Sequence, residues 1–127
     1  MSVHDPAHYP SGSLHLIADI EHGQRLDDLP FVENVLREAA AAAHVTVIEV
    51  SLHHFGPGLG VTGVALLAES HISIHTWPES GLVAADIFVC GKRADAHAAL
   101  AVMVERFGGK LRFVKEVPRL GANAPAG

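Results

Sequence analysis

The residue types able to do chemistry are crowded into one stretch, ESHISIHTWPESG, from Glu69 to Gly81. An apolar run, GVTGVALLA (Gly60–Ala68), leads into it, and a second, VAADIFVCG (Val83–Gly91), follows it. Two apolar strand candidates flanking a segment rich in Ser, His and Glu have the composition of a reactive site on a rigid sheet. Metal binding is one chemistry to weigh, because His71 and His75 stand four apart. Four residues of strand cover about 13 Å at roughly 3.3 Å each. Zinc–nitrogen bonds are near 2 Å, so on a strand these two cannot share one ion, and no metal is expected here. A serine hydrolase is the second option, but Ser70 lacks the G-x-S-x-G elbow.

The third option lets Ser70 react with its own backbone. Its hydroxyl attacks the carbonyl of Glu69, and the amide becomes an ester. A base then removes the Ser70 α-proton, and elimination splits the chain. The dehydroalanine left behind hydrolyses to a pyruvoyl group on a new N-terminus. This requires a base, for which His75 is the candidate, and donors for the tetrahedral oxyanion, one of which Thr62 can supply. Spacing alone does not choose among these chemistries.

The elements that must hold this stretch follow from periodicity. Ser13–Ile20 alternates Leu14, Leu16, Ala18 and Ile20 with His15, Ile17 and Asp19, and reads as a strand. Asp28 can cap a helix with Pro30 in its first turn. Phe31, Val32, Val35, Leu36, Ala39, Ala40 and Ala43 then share one helical face. Val45–Phe55 is a strand with Thr46, Ile48, Val50 and Leu52 on one side. Gly56–Gly60 must turn. Val61–Ala68 and Val83–Cys90 run almost without polar residues, as strands covered on both faces do. Ala94–Phe107 is a second helix, ended by Gly108-Gly109, and Lys110–Val117 a last strand. The order β-α-β-β-β-β-α-β implies an α+β, two-layer sandwich: a mainly antiparallel sheet with two helices on one face. The other face then needs a cover, and a sheet-to-sheet homodimer, four layers in the order αββα, would supply it.

Composition sets further bounds. The 127 residues, 49% apolar and 18% charged, predict one compact domain over 1–127. A formal charge of -5 with no basic stripe argues against nucleic-acid binding. Cys90 is the single cysteine, which excludes an internal disulfide framework. Residues 1–13 lack the apolar core of a signal peptide, and no apolar run reaches the roughly 18–20 residues of a membrane span. A soluble cytoplasmic protein is the expectation. His4 and His8 lie in a polar lead with little case for a metal role. Asp86, inside an apolar strand, requires a partner, as do His15 and Asp19. His71 is expected to make only a structural hydrogen bond.

ESHISIHTWPE, followed by DIFVCG, closely resembles the prokaryotic S-adenosylmethionine decarboxylase proenzymes, a self-cleaving, pyruvoyl-dependent family. FGPGLGVTG resembles that family's Phe-containing turn, and the likeness covers roughly residues 13–117. The resemblance implies cleavage between Glu69 and Ser70, giving a β chain of 1–69 and an α chain of 70–127. It makes Ser70 the source of the covalent pyruvoyl cofactor, His75 a residue of self-processing and Cys90 the proton donor in decarboxylation. It makes Glu79 the carboxylate on the ribose hydroxyls and Phe55 the ring that stacks on adenine. The pyruvoyl ketone would form a Schiff base with the substrate's amine, and the product would feed spermidine and other polyamine synthesis. Thr62 stands where the family usually has serine, and the Gly56–Gly60 turn is a residue longer than usual. Relatives on this scaffold resemble arginine or ornithine decarboxylases, which keeps those substrates as the alternative. A non-enzymatic relative that binds a ligand without cleaving itself is a further alternative. Composite sites in a homodimer are expected, with Ser70 and Cys90 from one subunit and Phe55, Thr62, His75 and Glu79 from the other, and assembly beyond the dimer is left open.

Overall fold

The computed structural model describes residues 12–121; His4 and His8 lie outside them. Along the chain run β1 (Ser13–Glu21), α1 (Leu29–Ala42), β2 (Val47–His54), β3 (Val61–Leu67), β4 (Ser70–Trp77), β5 (Leu82–Cys90), α2 (Ala96–Phe107) and β6 (Lys110–Arg119). The strands form one sheet in the order β2-β3-β4-β5-β1-β6, each neighbouring pair antiparallel.

Both helices begin where a short acidic side chain can replace missing backbone partners. Asp28 accepts a hydrogen bond from the Phe31 N–H at 3.1 Å, and Asp95 accepts from Ala98 at 3.0 Å. Gly108 ends α2 in the left-handed conformation, φ 66°. The helices cover one face of the sheet. Val32, Leu36, Met103 and Phe107 from the helices are fully buried with Leu16, Ile20, Ile72, Ile74 and Ile87 from the strands. Each such side chain contributes about 1.5–3 kcal/mol of transfer free energy.

Burial alternates strictly along β5: Val83, Ala85, Ile87 and Val89 are buried, while Leu82, Ala84, Asp86, Phe88 and Cys90 are only partly covered. The apolar runs therefore do not mark strands covered twice within this chain. One face carries the helices and the other lies open, with Ile17, Leu66, Trp77 and Phe113 exposed on it. In β2, Ile48 is 68% exposed instead of sharing the apolar side with Val50 and Leu52. A register shift between Val47 and Glu49 turns Val47 inward in its place, a bulge that the alternating pattern could not announce.

The turn from β2 to β3 is held tightly. Phe55 N–H donates to the Gly60 carbonyl and Leu59 N–H to that of Gly56. A Cβ on Gly60 would lie 1.9 Å from the Thr76 carbonyl oxygen, so only glycine lets this turn lie against β4.

Candidate active site

Ser70 opens β4 directly after a two-residue turn, since Leu67 pairs with Ser70 and only Ala68 and Glu69 lie between. Glu69 adopts φ 57°, a left-handed conformation that glycine ordinarily occupies. The peptide bond between Glu69 and Ser70 thus leaves a sparsely populated backbone state. Ser70 Oγ accepts a hydrogen bond from the Cys90 N–H at 3.2 Å, and Cys90 Sγ lies 3.1 Å from the buried Ser13 Oγ. Ser70, Cys90 and Ser13 lie together at one end of three inner strands, β4, β5 and β1. Cys90 also lines a cavity of about 340 Å³ with His44, Ala68 and Lys92.

A second group gathers at the other end of β4. Thr62 Oγ1 lies 3.2 Å from His75 Nδ1, because antiparallel pairing places the two residues opposite each other. His53 pairs with Thr62 from β2, and its ring meets that of Phe55 edge-on at 4.6 Å. Trp77 follows His75 with ring centroids 6.2 Å apart. Glu79 stands exposed in the β4–β5 turn. Beside it, Trp77, Leu82, Ala84, Asp19 and Arg112 line a cavity of about 460 Å³, a volume suited to a small ligand.

The structure therefore joins Ser70 to Cys90, and His75 to Thr62, but not the two pairs to each other. β4 pairs without a register shift, so Ser70 and His75 fall on opposite sides of the strand. Their separation along it is about 17 Å, five residues of strand rise.

A third group was half legible. Asp86 Oδ1 meets His15 Nε2 at 2.8 Å and His71 Nε2 at 3.1 Å, and Ser73 Oγ donates to Oδ2. These are the partners that a carboxyl in an apolar strand requires. His71 stacks on Phe88, and His15 meets that ring edge-on. Sequence flagged Asp86, His15 and His71 singly. It missed Ser13 altogether, because the only signal is the β1–β5 register that sets Ser13 opposite Cys90.

Burial works to raise the Asp86 carboxyl, but hydrogen bonds from Ser73, His15 and His71 together outweigh it, and the net lies below the ordinary 3.8. The folded carboxyl binds its proton less tightly than the unfolded one. Its contribution to stability is therefore complete above pH 3.8 and lost as pH falls through the lower folded value. Asp86→Asn is expected to flatten the acid loss of stability, followed by urea unfolding at a series of pH values. An unaltered slope would remove this reading.

The fold and site define a two-layer α+β sandwich with a serine poised at a strained hairpin and a thiol beside it. The family model described as S-adenosylmethionine decarboxylase matches residues 14–120. The S-adenosylmethionine decarboxylase proenzyme of Thermomicrobium roseum is 41% identical over 105 residues, covering 83% of this chain and 90% of that protein. That of Acidithiobacillus ferrooxidans is 43% identical over 106 residues, covering 82% and 79%. The Pseudomonas aeruginosa proenzyme is 42% identical over 76% of this chain, which spans 59% of that relative's length. The crystal structure of adenosylmethionine decarboxylase from Aquifex aeolicus VF5 superposes with a TM-score of 0.73 at 30% identity, covering 91% of this chain and 95% of that one. The chain belongs to the S-adenosylmethionine decarboxylase family. No helix among the described residues is long and apolar enough to cross a membrane.

Proposed function

We propose that this chain is a proenzyme that cleaves itself between Glu69 and Ser70 and then decarboxylates S-adenosylmethionine for polyamine synthesis. The observation that carries the reading is the turn into the start of β4. There a left-handed Glu69 precedes Ser70, whose hydroxyl is held by the Cys90 N–H at 3.2 Å. The products are residues 1–69 and 70–127, and Ser70 supplies a covalent pyruvoyl group.

The residues present suit such a group: the serine that must become it opens a strand, and a thiol stands beside it. Once formed, the pyruvoyl group would supply an electron sink for the departure of carbon dioxide. Cys90 delivers the proton that replaces the carboxylate, with Ser13 fixing the thiol through their contact of 3.1 Å. His75, held by Thr62 at 3.2 Å, serves self-processing. Thr62 keeps the hydroxyl of the serine it replaces, and the added methyl stiffens it. Phe55 receives the adenine ring, and Glu79 the ribose hydroxyls.

One chain does not bring these parts over one substrate, because the two groups stand about 17 Å apart along β4. A second copy laid against the open sheet face resolves this. Each site then takes Ser70 and Cys90 from one protomer, and Phe55, Thr62, His75 and Glu79 from its partner. Exposed apolar side chains on that face, Ile17, Leu66, Trp77 and Phe113 among them, support such a contact.

The substrate follows from Phe55 and Glu79, which suit a nucleoside better than the side chain of arginine or ornithine. The names of the relatives point the same way. Release of carbon dioxide by purified, cleaved protein should occur with S-adenosylmethionine and not with arginine or ornithine. Turnover of either amino acid with none of the nucleoside would overturn the assignment.

A further inference from the structure

We propose that His15, His71 and Asp86 form a binding site for one divalent transition-metal ion of the zinc type. Each comes from a different strand, β1, β4 and β5, three neighbours in the sheet. Their ligand atoms all lie within 4.8 Å of one another, and both imidazole Nε2 atoms converge on the same carboxylate oxygen, at 2.8 and 3.1 Å. Donors in a tetrahedral zinc shell stand about 3.3 Å apart when the bonds are near 2 Å. The two nitrogen–oxygen separations are within about half an ångström of that figure. The distance that separates His71 from His75 along β4 does not bear on this site, because its ligands come from across the sheet.

The donor set selects the ion. Two imidazoles and a carboxylate suit zinc, copper, nickel or cobalt, whereas magnesium and calcium want shells of oxygen. The support around the ligands is also that of a metal site. Ser73 holds the second carboxylate oxygen and so turns Oδ1 toward the histidines. Phe88 packs against both rings and restricts their rotation. In the single chain, side-chain exposures of 21% for His15, 39% for His71 and 31% for Asp86 leave room for the ion and a water ligand to enter before a second copy covers this face. A bound ion replaces the protons that now join the histidines to Asp86, and ties β1, β5 and β4 together. All these residues are in place in the uncleaved chain, so the site does not depend on the processing proposed above.

The test is a zinc titration of the metal-free full chain against a chromophoric chelator, with a cobalt absorption spectrum as the second readout. The expected result is saturation at one ion per chain. Ser73→Ala should weaken binding by about tenfold or more, the usual cost of removing a group that orients a ligand. His15→Ala with His71→Ala should abolish it, while His97→Ala, at an exposed pair with Glu116, should not change it. Should the double variant fail to fold, His71→Gln makes the same comparison, since the amide still donates to Asp86 but is a poor zinc ligand. Zinc binding by His71→Gln as tight as that of the unaltered chain would overturn the proposal. So would the absence of saturable binding in the folded chain, which would leave Asp86 as a hydrogen-bonded anchor only.

Discussion

Ser70→Ala is expected to leave the chain as a single 13.4 kDa polypeptide with no decarboxylase activity. The substitution removes the hydroxyl proposed to attack the Glu69 carbonyl, and with it the proposed source of the ketone. Without an electron sink, loss of carbon dioxide returns to its uncatalysed rate, a fall of about a millionfold or more. The fold should survive. Among the described residues the hydroxyl's hydrogen-bond partner is the Cys90 N–H, and leaving that partly buried donor unpaired costs about 1–3 kcal/mol. A domain with the usual stability of about 5–15 kcal/mol tolerates that loss. Circular dichroism and melting of the variant should therefore match a folded protein, while a denaturing gel shows one band after any length of incubation. A Ser70→Ala chain that still splits, or still releases carbon dioxide from S-adenosylmethionine, would place the chemistry elsewhere.

The second large effect concerns the dimer. His75→Ala and Ser70→Ala proteins should each stay uncleaved and inert, or nearly so, when prepared alone. Produced together, they should regain activity. In a mixed pair, one site takes Ser70 and Cys90 from the His75→Ala chain, and His75 and Thr62 from the Ser70→Ala chain. That site is intact, and the other carries both defects. Random pairing makes half the dimers mixed with one good site each, so recovery approaches about a quarter of the unaltered activity. The geometry behind this is the separation of about 17 Å between the ends of β4. If co-production restores nothing although mixed dimers form, both halves of the site belong to one chain.

Most of the fold was legible because its elements carry local signatures. Asp28 with Pro30, the apolar face from Phe31 to Ala43, and Gly108 after Phe107 define the helices without tertiary information. The strands declared themselves by alternation or by apolar runs between turns. The reactive stretch was legible too, through residue type and the long motif around Ser70. What stayed hidden is set by pairing across strands. No local pattern places Ser13 against Cys90, or gathers His15, His71 and Ser73 around Asp86. The β1 contacts arise from the sheet order β4-β5-β1, which sets Ser13 and His15 against residues more than seventy positions away, while His71 and Ser73 meet Asp86 across the β4–β5 pairing. The apolar runs in β3 and β5 suggested two covered faces, whereas the chain alone covers one. Ile48 shows the limit of parity, since one bulge reversed its side.

The intact mass of the purified protein tests the central claim most directly. Cleavage at Glu69–Ser70 predicts two fragments, 1–69 and 70–127, with no chain left at 13.4 kDa once processing is complete. The 70–127 fragment should resist Edman degradation and weigh about 17 Da less than its serine-headed counterpart, because the nitrogen leaves as ammonia. A single unbroken chain in catalytically active protein, or a fragment beginning with free serine, would contradict the account.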